Sequence, residues 1–282
     1  AAGPFINIIL FIIQGDRWEL PILKSVIIFG IIISGLSLIA MLFFSDKKSL
    51  GLESESIIQL PINNSIDKRE TFTDIHVNSS FINKITSNSN LVITIILLSS
   101  NLLIGIGAGM TIKFFSIFFI EIYFLLPIQV QLIMGFTSIF TGIASIIAQQ
   151  FSLTRGRAKT IFIVQGLATL CLMIIALYPP LIILIPIFIT RGSLMNASQP
   201  LSRSILMDTV PKKHRGKINS LQTLSWGMFW NFSAAVGGYL IGSTNNFRLC
   251  FIVTSILYTI GTLPILIIIP LVKKEKHTKI IK

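Results

Sequence analysis

From Leu20 onward the chain alternates long apolar runs with short polar interruptions, and that pattern permits few folds. A hydrocarbon core about 30 Å thick is crossed by roughly 20 helical residues. Inside it every backbone N–H and C=O has to be satisfied within the segment, which leaves α-helices for runs of this length. Seven runs are long enough, near residues 20–44, 91–118, 129–151, 160–178, 180–207, 218–241 and 248–272. An eighth, AAGPFINIILFIIQ, is too short to span and reads as the end of a truncated helix. The GDRWEL that follows has no cleavage signature of a secretory signal. The expectation is an all-α integral membrane protein with seven full transmembrane helices and one truncated helix, whose main partner is the lipid bilayer.

Charge distribution sets the expected topology. The chain carries 23 Lys and Arg and a formal net charge of +12, a balance that by itself would suit nucleic acid. However, 18 of the 23 fall in four segments, residues 46–84, 153–159, 203–217 and the tail from Lys273. Only Arg17, Lys24 and Arg248 lie in the opposite set, and Lys113 and Arg191 fall inside apolar runs. This is the positive-inside pattern, so the linker and C-terminus are expected in the cytoplasm and no nucleic-acid partner is expected. The two cysteines, Cys171 and Cys250, sit in apolar spans as small hydrophobes. The sequons at Asn63 and Asn78 fall on the side where glycosylation does not operate.

Residues 45–90 are polar, rich in Ser and Asn, and lack sustained periodicity, so they read as a flexible linker. They separate residues 1–44 from six closely spaced helices over 91–272, and 273–282 form a basic tail. Polarity ranks the six helices, because a polar side chain is tolerated against protein or water and penalised against lipid. The spans at 160–178 and 248–272 carry few polar residues beyond Gln165 and are expected to face lipid. The spans at 91–118 and 180–207 carry Ser99, Ser100, Asn101 and Lys113, and Arg191, Asn196, Gln199 and Arg203, and are expected to line an aqueous cavity.

An arginine near mid-membrane costs about 2.5 to 3.5 kcal/mol on insertion scales, so Arg191 needs an offsetting role. At 100 degrees per residue Arg191, Asn196, Ser198, Gln199, Ser202 and Arg203 share an arc of about 160 degrees, opposite Leu194, Ala197, Leu201 and Ile205. Two readings stand: a structural arginine satisfied by helix-end carbonyls or Asn196, or a substrate or gating contact. Lys113 likewise either snorkels at the outer boundary or faces the cavity, depending on whether Gly105, Gly107 and Gly109 bend the helix. Arg191, Lys113, Asn196, Gln199 and Asn101 are the candidate substrate-binding residues. GIGAG lacks the spacing of a dinucleotide fingerprint. Asn101, Gly105 and Gly109 at i, i+4, i+8 instead suit close helix packing, as do Gly237 and Gly238. No carboxylate falls at mid-depth, so an anionic or polar solute is favoured.

These residues resemble the major facilitator superfamily, whose members join two six-helix halves by a long cytoplasmic loop. GPFINIILFIIQGDRWELP resembles the join of helices five and six, and residues 91–272 resemble helices seven to twelve. SLTRGRAKT resembles the second copy of the family's G-x-x-x-D-R-x-G-R-R loop, with Gly156 and Arg157 on its G-R and Leu153 where Asp is expected. SILMDTVPKKHRGK resembles the acid and basic loop that follows helix ten. GAGMTIKFF and FWNFSAAVGGYLI resemble helices seven and eleven in a eukaryotic branch of the family. The resemblance implies a cavity lined by helices seven and ten, and a charge network at the cytoplasmic gate formed by Arg157, Asp208 and Arg215; the alternative is an ordinary topogenic charge cluster.

It further implies that the chain is a fragment, completed by missing N-terminal helices, and that it transports a small molecule by rocking two halves about a midplane site. No cofactor, metal or catalytic residue is expected. There is no G-x-x-x-x-G-K-[ST], and His76, His214 and His277 are scattered in loops, which disfavours an enzyme. A non-transporting receptor or scaffold on the same fold is the remaining alternative.

Overall fold

The structure, a computed structural model, describes residues 2–42, 79–210, 214–242 and 245–272. The linker residues 43–78, with Asn63, His76 and Asn78, and the tail 273–282, with His277, lie outside the described residues. All regular elements among the described residues are helical. They are α1 (Ala2–Gln14), α2 (Leu20–Leu42), α3 (Ser79–Ile112), α4 (Phe115–Tyr123), α5 (Pro127–Arg155), α6 (Arg157–Ile175), α7 (Leu181–Thr209), α8 (Arg215–Ile241), α9 (Phe247–Thr262) and α10 (Ile265–Ile268). Because α3 begins at Ser79, it takes in the end of the stretch expected as linker over 45–90.

Among the described residues five segments are long and apolar enough to cross a membrane: Asn90–Tyr123, Pro127–Arg155, Arg157–Ile175, Leu181–Thr209 and Phe247–Ile268. The protein is an integral multi-pass membrane protein, but the expected count of seven full spans is not reached by this measure. α2 runs as one apolar helix over Leu20–Leu42. In α8 the polar residues Asn219, Gln222, Thr223 and Asn231 dilute the hydropathy of a helix long enough to span.

The long apolar run from Leu91 resolves into two helices. It stays helical through all three glycines and breaks after Ile112, where Phe114 N–H donates to Thr111 C=O at 3.0 Å. The break re-aims Phe115, Phe118 and Phe119, each at most 1% exposed, into an aromatic cluster with Phe188, Phe247 and Phe251. Edge-on ring pairs at 4.7 to 5.5 Å between centroids hold α4 against α7 and α9 there.

The α1–α2 connection anchors the start of α5. Asp16 Oδ1 accepts from Ile128 N–H at 2.9 Å, placing a carboxylate at the helix's positive end, and Trp18 Nε1 donates to Leu125 C=O at 3.0 Å. Phe5 of α1 fills the space left by Gly135 of α5.

The six-helix portion consists of two successive three-helix units, α3–α5–α6 and α7–α8–α9, that exchange their first members. α3 packs chiefly on α8 and α9 of the second unit, and α7 chiefly on α5 and α6 of the first. Neither unit therefore buries its polar leading helix alone. This exchange corrects the ranking by polarity. The window of α6 is 50% buried and that of α9 with α10 is 44% buried, whereas α5 is only 17% buried. α6 and α9 keep an exposed apolar face, with Leu167, Leu170, Ile252 and Ile256 outward, and pack with the other, while α5 carries the larger apolar exposure, including Phe140, Ile146 and Ile147.

Candidate functional site

Arg191 lies in the interior of the bundle, 3% exposed, on the buried side of α7. Its Nη2 donates to the Tyr258 hydroxyl of α9 at 2.9 Å. Its guanidinium sits 5.0 Å from the Phe115 ring centroid and 5.7 Å from that of Tyr258. Ring faces are electron-rich, so two of them offset part of the cost of burying the cation without a carboxylate. Nε is buried and has no partner among the described residues. Neither partner expected from sequence is used, since Asn196 Nδ2 donates back to Gly192 C=O in its own helix.

The arc expected to form one wet face of α7 is split by the structure. Arg191, Ser198 and Ser202 form a buried stripe, while Asn196 and Arg203 are exposed and Gln199 is half-buried beside them. Each member of the stripe reaches a different helix. Ser202 exchanges hydrogen bonds with Asn101 of α3, whose Nδ2 donates at 3.2 Å. Ser198 accepts from Gln165 Nε2 of α6 at 3.1 Å, and Gln165 Oε1 accepts from Thr262 of α9 at 3.4 Å. Asn101 and Gln165 are 4% and 1% exposed, so these amides join helices at depth, where an unpaired polar group costs most.

Lys113 takes a different place from Arg191. It is exposed at the break between α3 and α4 and donates from Nζ to Asn231 Oδ1 of α8 at 2.7 Å. Arg203 makes the matching contact near the other end of α8, from Nη2 to Asn219 Oδ1 at 2.6 Å. Two cations on the open side are thus held by neutral amides. Asp16, Glu19, Glu121 and Asp208, the carboxylates among the described residues, lie at helix ends or in turns.

Close approach places the glycines. A Cβ on Gly109 would overlap Ser233 Oγ and the Trp230 carbonyl oxygen, and one on Gly237 would overlap the Met110 carbonyl. These two positions set the separation of α3 and α8. Gly105 lies against the Trp226 ring, where a Cβ would come to 3.0 Å, whereas Gly238 has ordinary space, 3.4 Å from Phe114.

Near the junction of α5 and α6, Arg157 Nη1 bonds Asp208 Oδ2 at 2.6 Å and Ser204 Oγ at 2.7 Å, tying the start of α6 to the end of α7. Arg215 does not join this pair. Its Nε donates to Val210 C=O at 3.1 Å, satisfying the carbonyl that caps α7, and among the described residues no ion pair links it to Asp208. Among the described residues, then, Arg157 and Asp208 pair while Arg215 serves as a separate cap.

The polar bridges through Gln165 and the cap by Arg215 were missed by reasoning along single helices. Ser198 and Ser202 were legible as a stripe with Arg191 from their i, i+7, i+11 spacing, but not their partners on α3 and α6.

Comparison with known proteins gives one family. None of the curated proteins and none of the solved structures matches the chain significantly. The profile of the Major Facilitator Superfamily matches residues 97–281, well over half of the chain and nearly the whole six-helix portion. With that match laid over two three-helix units that exchange their leading helices, the chain belongs to the major facilitator superfamily of membrane transporters.

Proposed function

We propose that the protein is a secondary transporter that moves a small polar or anionic solute by alternating access, without nucleotide hydrolysis. The observation that carries the charge preference is the open side of α7 and α8. There, among the described residues, Lys113 and Arg203 are held only by the amide oxygens of Asn231 and Asn219. A neutral amide orients a cation without cancelling its charge, so the face attracts anions and polar acceptors. Lys113, Asn196, Gln199 and Arg203 are the proposed solute contacts.

Arg191 and Asn101 are given a different part. Their partners are already on neighbouring helices, so they keep the half rigid while it rocks as a body. The Arg157–Asp208 pair is the proposed gate. Asp208 is 60% exposed, which makes the pair easy to break and remake as that end opens and closes. The excess of Lys and Arg on one side supports a cytoplasmic location for this gate and for the C-terminus.

The test is flux in proteoliposomes containing the protein together with whatever helices complete it in the membrane. A panel of matched anionic, neutral and cationic solutes is expected to show saturable uptake of the anionic or neutral members, reduced about tenfold by Lys113→Gln. Tight binding with no flux of any solute would favour the receptor reading on the same fold, and uptake of cations alone would overturn the charge preference.

A further inference from the structure

The corner where α5 gives way to α6 carries three cations in alternation, Arg155, Arg157 and Lys159, and they part in two directions. Arg157 turns inward to Asp208 and Ser204. Arg155 and Lys159 are exposed, and neither has a hydrogen bond or an ion pair among the described residues. The guanidinium of Arg155 lies 5.8 Å from the ring centroid of Phe151, one turn back on α5 and itself exposed, so this cation rests against an apolar surface. Lys159 follows Arg157 by two residues, about 200 degrees round the helix, which puts it on the side of α6 away from α7. Leu170 and Met173 continue that side of α6 and are exposed. The bonds of Arg157 to Asp208 and of Arg215 to Val210 C=O bring the starts of α6 and α8 and the ends of α5 and α7 to one end of the bundle. Among the described residues that end carries Arg155, Arg157, Lys159, Arg203, Arg215 and Lys217 against one carboxylate, Asp208.

We propose that Arg155 and Lys159 together hold the headgroup of an anionic phospholipid in the leaflet at this end of the protein, with its acyl chains laid along the exposed apolar faces of α5 and α6. An exposed cation at the rim of a membrane-spanning bundle meets headgroups as well as water, and each Lys or Arg near an anionic membrane surface is attracted to it. The two cations stand four residues apart across one corner, so they bear on the same patch of headgroups. A zwitterionic headgroup gains less, because its ammonium opposes the phosphate that the cations attract. The apolar side chains beneath the charges, Ile147 and Phe151 on α5 and Leu170 and Met173 on α6, suit hydrocarbon and offer nothing to a free anion, which makes a lipid the occupant.

The test reads lipid contact and does not depend on transport. The protein in phosphatidylcholine liposomes is given spin-labelled phosphatidylserine or spin-labelled phosphatidylcholine of the same chain, and the motionally restricted fraction of each is measured by electron paramagnetic resonance. The expected result is an association of the serine lipid at least about threefold stronger, falling towards parity in about 1 M NaCl as the charges are screened. Arg155→Gln combined with Lys159→Gln, checked for an unchanged thermal transition, is expected to remove most of the preference. Lys24→Gln, which deletes an exposed charge at the opposite end, is expected to leave it intact. Excess glycerophosphoserine, the headgroup without its chains, is expected not to displace the labelled lipid. Equal association of the two lipids with the unaltered protein would overturn the proposal without any variant being needed. So would a preference that survives the double substitution or the added salt, or an equal loss in Lys24→Gln. Displacement by the chain-free headgroup would overturn it as well, by marking a site for a soluble anion.

Discussion

Arg191 donates to the Tyr258 hydroxyl at 2.9 Å and lies over the same ring, so one residue of α7 is bound to one residue of α9 by two different attractions. Tyr258 is fully buried, and no carboxylate takes part. Removing the hydroxyl leaves a buried cation with ring faces alone. Tyr258→Phe is expected to destabilise the protein by about 1 to 3 kcal/mol, the usual range for a buried group losing its partner. Denaturation in mixed micelles reads this directly, and an unchanged midpoint would show that Arg191 finds another partner at no cost.

The close contact of α3 with α8 makes a graded prediction from four glycines. Gly109→Ala and Gly237→Ala press a methyl into backbone atoms of the facing helix, and each is expected to cost about 1 to 3 kcal/mol. Gly238→Ala meets only ordinary contact, and Gly142→Ala meets open space. These two are expected to be neutral or slightly stabilising, since alanine restricts the unfolded chain. Equal effects across the four, measured by thermal unfolding in detergent, would contradict the helix separation described.

The Arg157–Asp208 pair is expected to matter for conformation more than for stability. Because Asp208 is largely exposed, Asp208→Asn should change global stability by less than about 1 kcal/mol. In the transport reading it should nevertheless raise the accessibility, to a water-soluble maleimide, of cysteines placed where the start of α6 meets the end of α7. Unaltered labelling would return the pair to an ordinary surface contact.

Asp16 gives a local test of how α1 is held. Its carboxylate caps α5 at Ile128, and Asp16→Ala is expected to cost about 0.5 to 2 kcal/mol, the range of a lost helix cap. The loss should appear as faster hydrogen exchange over the first turn of α5 and across α1, while α6 and α9 remain unchanged.

Much of the fold was legible in the order of residues because bilayer physics leaves little choice. Run length indicated helices over 129–151, 160–178, 180–207 and 248–272, and α5, α6, α7 and α9 with α10 occupy those stretches. Lys113 and Arg191 were recognisable as costly intrusions from their apolar surroundings alone. The pairings were not legible. Gln165 looked like a lone polar residue in a lipid-facing helix, yet it is one of the most buried side chains, because Ser198 and Thr262 arrive from two other helices. Likewise, helical periodicity grouped Arg191 with Arg203 as one wet face, whereas neighbouring helices cover one and leave the other open.

The amino-acid order by itself determined that this chain enters a membrane as helices, which loops carry the positive charge and which family it belongs to, since these depend on run length, composition and motif. Only the tertiary structure decided which polar groups became rigid cross-links and which stayed available. That outcome depends on the exchange of α3 and α7 between the two three-helix units, a packing between segments far apart in sequence that no periodicity within one helix records.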